Sequence, residues 1–114
     1  LPDETWVCCG HEYTEDNLRF AWSLEPNNVA LKARIEETWA LRAEGKSSIP
    51  TRVGVERATN PFLRWSSPEL LASLERSQPG VRMDTPAAVF AATRALKDSK
   101  AYAKQRPANF PVRL

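Results

Sequence analysis

His11 is the only histidine in the chain, set between Cys9-Gly10 and Glu12-Tyr13. Near neutral pH an imidazole can act as a base, a proton carrier or a metal ligand. A loop directly after a strand is where a fold exposes such a group on a rigid support. A metal centre needs three or four donors, and the chain has no second histidine, so a centre that includes His11 takes its other ligands from elsewhere. The competing reading is an ordinary hydrogen-bonded loop histidine. Cys8 and Cys9 invite redox or metal chemistry, but they close an apolar run and are expected to be small buried residues. Adjacent cysteines cannot bridge distant parts of the chain, which leaves no disulfide framework and favours a reducing compartment.

Arg94 and Lys97 are three positions apart in an alanine-rich segment and project from one helix face together with Phe90. Two cations so placed could grip a carboxylate, or simply form a solvated face. Lys100, Lys104, Arg106 and Arg113 follow, against Asp98 alone. That basic end could suit an acidic partner or nucleic acid, but the formal charge of +2 over 114 residues gives little support, and no nucleic-acid partner is expected. Trp6, Trp22, Trp39 and Trp65 share no common spacing and read as an aromatic helical core rather than a stacking platform.

The elements that must position these groups are also readable. Thr5 to Cys9 is a short buried strand that stops at Gly10. Thr14 is expected to cap a first helix, with Leu18, Ala21 and Trp22 at helical spacing and an end at Glu25-Pro26. Asn27-Asn28 opens a second helix, Val29 to Ala43, with Leu31, Ile35 and Trp39 inside, Lys32, Arg34, Glu36 and Glu37 on the wet side, and Gly45 as its stop. Lys46 to Pro61 is a long loop with at most one helical turn near Val55-Glu56-Arg57. Ser67-Pro68-Glu69 and Asp84-Thr85-Pro86 each start a helix, and the tail beyond Lys104 is irregular. The fold class is therefore mainly α, one short N-terminal strand followed by about four helices. With 42% hydrophobic residues the chain can bury a core, and no apolar stretch reaches the roughly 18 residues of a membrane span. The start at Leu1-Pro2-Asp3, with no signal or transit pattern, reads as a fragment or processed product and points to a cytoplasmic protein, organellar import remaining open.

Three motifs in order carry a family resemblance. Cys9-Gly10-His11-Glu12-Tyr13-Thr14 continues through Asn17-Leu18 and Phe20-Ala21 to Glu25-Pro26-Asn27-Asn28; then come Asn60-Pro61-Phe62-Leu63-Arg64 and Arg94-Ala95-Leu96-Lys97-Asp98. Together they resemble glyoxalase II (hydroxyacylglutathione hydrolase), a thioester hydrolase of metallo-β-lactamase (αββα) fold that acts in methylglyoxal detoxification. The resemblance covers only the family's C-terminal part. It implies that residues 1–13 are the last strand and metal-ligand loop of the metallo-β-lactamase-like domain, and 14–114 a helical glutathione-binding domain. It also implies a two-metal site, usually zinc and sometimes with iron, for which His11 supplies one ligand. The family's Thr-His-x-His-x-Asp-His motif is absent here, so the chain alone is expected to be inactive without the missing N-terminal metal-binding domain. By the same resemblance Tyr13 bonds the glutathione backbone, Arg94 and Lys97 hold its glycine carboxylate, and His11 also faces the substrate. The expected reaction is hydrolysis of S-D-lactoylglutathione to D-lactate and glutathione, with no membrane partner. The alternative is a non-catalytic helical module that binds glutathione conjugates or a protein partner.

Overall fold

The computed structural model describes all 114 residues. The chain runs β1 (Trp6–Val7), α1 (Thr14–Leu24), α2 (Val29–Ala43), β2 (Thr51–Arg52), α3 (Val53–Thr59), a 3-10 turn Pro61–Leu63, α4 (Pro68–Ser77), α5 (Pro86–Ser99) and a second 3-10 turn Ala101–Lys104. The mainly helical class with a short N-terminal strand is as expected.

The caps explain most boundaries. Asn28, Ser67 and Thr85 accept the backbone N–H of Leu31, Leu70 and Ala88, and Pro68 and Pro86 follow at the first helical position, where no donor is needed. At the end of α2, Gly45 takes φ +72°. Its N–H bonds the Arg42 carbonyl and that of Lys46 the Leu41 carbonyl, closing the orphan end of the helix.

Helix α1 is the hub. Phe20 and Leu24 on one face pack with Leu70 and Leu74 of α4, Val89 and Ala92 of α5, and Tyr102. Leu18, Ala21 and Trp22 on the other pack with Leu31 and Ile35 of α2. Burying each large side chain contributes roughly 1.5–3 kcal/mol. At the end of α1, Glu25 is only 2% exposed and is held in a fork by Arg64, Nε at 2.8 Å and Nη2 at 3.2 Å, while the Ser67 hydroxyl donates to the same carboxylate. The Arg of the Asn-Pro-Phe-Leu-Arg motif is thus a staple for the Glu of Glu-Pro-Asn-Asn.

Several expectations need correction. The N-terminal strand is limited to Trp6–Val7, paired antiparallel with Arg52 and Thr51: the register sets Cys8 against Pro50, which has no N–H to donate, and Thr5 against Val53, where α3 already begins. Cys8 and Cys9 are consequently exposed rather than buried. The segment 46–61 is no simple loop: it carries β2 and the seven-residue α3, whose first N–H groups donate to the carbonyls of Thr5 and Asp3. The approach is close enough at Gly54 that an added Cβ would lie 2.9 Å from that of Asp3. Helix α3 thus joins the four helices expected, within the mainly helical class. Thr14 does not cap α1; Tyr13 occupies the cap position without a side-chain bond, and the Thr14 hydroxyl donates to Glu12. Trp6 and Trp65 are exposed, so the aromatic core rests on Trp22 and the half-buried Trp39. Arg34, placed on the wet side of α2, is largely covered. The tail returns to the core, where Phe110 meets Trp22 and Trp39 edge-on at 6.0 and 5.4 Å between ring centres. No helix is long and apolar enough to cross a membrane.

Candidate ligand cleft

A cleft of about 280 Å³ is bounded by α1, the 48–62 segment and α5, with Arg34 of α2 also on its wall. That is near the small end of ligand pockets. Arg94 and Lys97 line it together with Asn60, Pro61 and Phe62 and with Thr14, Asn17 and Leu18 of the first motif, so all three sequence motifs converge there. His11 and Tyr13 form a separate pair. Their rings stack at 5.1 Å with planes 10° apart on the exposed loop, and while neither lines the cleft, Cys9 and Thr14 on either side of them do.

The two α5 cations are differently held. Arg94 is exposed and pairs with Asp98 one turn on, a surface contact worth at most about 1 kcal/mol that leaves the guanidinium free to exchange partners. The Lys97 side chain is only 14% exposed. Its ammonium donates to Asp16 at 2.9 Å and to the Tyr102 hydroxyl at 2.7 Å, and lies 4.5 Å from the Tyr102 ring centre and 5.3 Å from that of Phe20. Two of its three N–H bonds are used, which leaves one for a ligand. The Tyr102 hydroxyl also donates to Asp16. Burial pushes the Asp16 carboxyl up, but hydrogen bonds from Lys97 and Tyr102 and the charges of Lys97 and Arg19 outweigh it and hold it below its ordinary value.

Glu12 fixes the His11 loop. Its carboxylate accepts the Ser48 backbone N–H, the Ser48 hydroxyl and the Thr14 hydroxyl, with Arg42 at 3.8 Å. Burial acts to raise its pKa, but these donors and the Arg42 charge win and lower it to about 2. The Glu of Gly-His-Glu-Tyr-Thr is therefore a clamp between the loop and the 47–49 segment.

As to metal, His11 has no partners in this chain. Nowhere do three His, Cys, Asp or Glu residues come together as a group able to hold an ion, and Glu12 is committed to the clamp. The residues present could supply one ligand of a centre, not a centre.

The sequence reading missed Asp16, Tyr102, Arg34 and the Glu12 clamp. Tyr102 reaches Lys97 because Lys100 takes the left-handed conformation, φ 56°, and turns the chain back. A lysine rarely does so, and no sequence signal announces it. For Asp16, a first-turn acid, the ordinary helix-dipole explanation was sufficient and concealed the tertiary role.

Residues 12–100 match the family described as hydroxyacylglutathione hydrolase C-terminus. The chain belongs to that family. Curated proteins named hydroxyacylglutathione hydrolase align with most of it. That of Ruegeria pomeroyi is 48% identical over 98 residues, 86% of this chain and 36% of the relative. That of Microcystis aeruginosa is 46% identical over 99 residues, 87% and 36%, and that of Rhodobacter capsulatus 53% over 99 residues, 86% and 37%. The chain thus spans a little over a third of the length of these hydroxyacylglutathione hydrolases. The family match begins at Glu12, so it takes in Tyr13, Arg94 and Lys97 and leaves His11 just outside.

Proposed function

We propose that this chain is the C-terminal portion of a metal-dependent hydrolase that converts S-D-lactoylglutathione or a related 2-hydroxyacylglutathione, with water, to D-lactate and glutathione. The observation that carries the reading is the meeting of Arg94 and Lys97 with the Asn60-Pro61-Phe62 turn around one cleft, in a chain of the hydroxyacylglutathione hydrolase family. The names of the relatives support a glutathione-derived substrate.

In this reading residues 1–13 end a metallo-β-lactamase-like domain and 14–114 form the glutathione-binding domain. His11 is one ligand of a two-metal centre, zinc or zinc with iron, whose other ligands come from outside these residues. The chemistry assigned to this chain is holding the substrate. Arg94 and Lys97 take the glycine carboxylate, Lys97 through the one N–H that Asp16 and Tyr102 leave open, and Tyr13 bonds the peptide backbone. A carboxylate held equally in ground and transition states lowers KM and leaves kcat little changed.

Kinetics of Arg94→Ala and Lys97→Ala in the complete hydrolase test this. Each charge-assisted contact contributes on the order of 1.5–3 kcal/mol, so KM should rise about tenfold or more with a much smaller fall in kcat. A thioester lacking the glycine carboxylate should be a poor substrate and indifferent to both changes. Equal KM for mutant and wild type on the glutathione substrate would remove both residues from the site.

A further inference from the structure

The α2 end of the cleft carries charges that the glycine-carboxylate reading leaves unused. The Arg34 side chain is only 10% exposed, yet its one carboxylate partner is Glu37, which lies one turn along the same helix and is 63% exposed to solvent. Its other contact is the Ser48 carbonyl at 3.4 Å. So shallow an ion pair offsets little of the cost of covering a guanidinium. Glu56 lines the same cleft, accepts one hydrogen bond from the Asn60 side chain, and enters no ion pair. Thr51 stands between them in the chain and also lines the cleft, and its hydroxyl is buried with no hydrogen-bond partner. Rotation about χ1 exchanges its methyl and hydroxyl and can turn the hydroxyl towards a ligand.

A largely covered cation and an unpaired anion that do not bond each other, together with an orphan hydroxyl, are costly unless a ligand supplies both counter-charges. A zwitterion does so. We propose that Arg34, Glu56 and Thr51 form a subsite for an α-amino-acid head, with Arg34 taking the α-carboxylate, Glu56 the α-ammonium and Thr51 a further hydrogen bond. The inference rests on the glutathione reading and extends it. Glutathione bears a free α-ammonium and α-carboxylate on its γ-glutamyl carbon and a lone carboxylate at its glycine end. The cleft is lined by a cation and an anion, Arg34 and Glu56, and by two further cations, Arg94 and Lys97. The γ-glutamyl linkage is then the specificity element, because an ordinary α-linked glutamate has its α-carboxylate tied up in the peptide bond and presents its ammonium and its remaining carboxylate on different carbons.

Calorimetric titration of the 114-residue chain with three probes tests the subsite: S-methylglutathione, S-methylcysteinylglycine, and the desamino analogue in which glutaryl replaces γ-glutamyl. The wild type should bind S-methylglutathione about tenfold or more tighter than S-methylcysteinylglycine. Arg34→Met should abolish that preference without changing the affinity for S-methylcysteinylglycine. Glu56→Gln, which keeps an acceptor for Asn60, should abolish the preference over the desamino analogue. Equal wild-type affinities for the first two probes, or an Arg34→Met loss shared by both, would overturn the subsite. Arg94→Ala and Lys97→Ala separate it from the underlying reading. If only these weaken S-methylglutathione, the glycine end stands and the zwitterion subsite falls. If only Arg34→Met and Glu56→Gln do, the subsite stands and the glycine assignment falls. No binding of S-methylglutathione by the wild type overturns both.

Discussion

The Lys97 ammonium meets the Asp16 carboxylate at 2.9 Å across 81 positions of sequence, and the Tyr102 hydroxyl bonds both. This makes the cation a fixed one. A lysine on a free stem would surrender rotamer entropy to bind an anion, whereas this one has already been ordered by the fold.

In Lys97→Met the Asp16 carboxyl should move back up towards its ordinary value, which NMR titration of that carboxyl would follow. Because the folded-state pKa is depressed, the contribution of Asp16 to stability is present above its ordinary value and is lost as pH falls below it. With Asp16 half-exposed, that contribution is about 1 kcal/mol or less, and the mutant should lose it. An Asp16 titration unchanged in Lys97→Met would dissolve the link.

His11 sits on the exposed loop with its ring on Tyr13 and no core contact to lose. In the complete hydrolase, His11→Ala should therefore lower bound metal and remove most turnover while helical content by circular dichroism stays constant. Normal metal stoichiometry together with normal activity would show that it is not a ligand.

Glu12 gives the loop an acid limit. Its pKa of about 2, against 4.5 ordinarily, means that the clamp is at full strength above about pH 4.5 and is released as pH falls towards 2. After discounting for solvent, Glu12→Gln should cost on the order of 1–2 kcal/mol at pH 7 and flatten the fall in stability between those limits. Chemical denaturation at pH 7 and pH 3 measures both. Parallel acid profiles for mutant and wild type would place the stabilisation elsewhere.

The Glu25–Arg64 fork should be sensitive to loss of one member alone. Arg64→Met leaves a carboxylate that is 2% exposed with only the Ser67 hydroxyl and should cost about 3–5 kcal/mol. Glu25→Gln added to Arg64→Met should recover part of it, since the buried charge is then gone. Additive losses in the double mutant would contradict a buried-charge origin.

The sequence carried some of this and not the rest, for physical reasons. Caps are local chemistry, so Asn28, Ser67, Thr85 and Gly45 announced their helices. The β1–β2 ladder depends on Trp6 and Val7 finding Arg52 and Thr51 far along the chain and in register, and nothing in Thr5 to Cys9 marks where the partner strand ends. Arg34 reads as a solvated charge by helix periodicity, because the wall that covers it comes from 48–51 and not from its own helix. Arg94 and Lys97 were visible as a pair by spacing, but their inequality, one exposed and one locked, is set by Asp16 and Tyr102 from other elements.

The placement of α1 has a consequence for synthesis. This helix is made well before the residues that cover it: Arg19 bonds the carbonyl of Ala103, 84 positions later, Asp16 bonds Tyr102, 86 positions later, and Trp22 packs on Phe110. On the ribosome the nascent α1 therefore waits, with Phe20 and Trp22 incompletely covered, until Tyr102 and Phe110 have left the exit tunnel. Contacts of such long sequence separation fold late and slowly. A chain cut short before Tyr102 lacks one wall of each cluster around α1. The cell's chaperones and proteases would meet it with apolar surface uncovered, which makes the docking of residues 102–112 onto α1 the step that hides that surface from them.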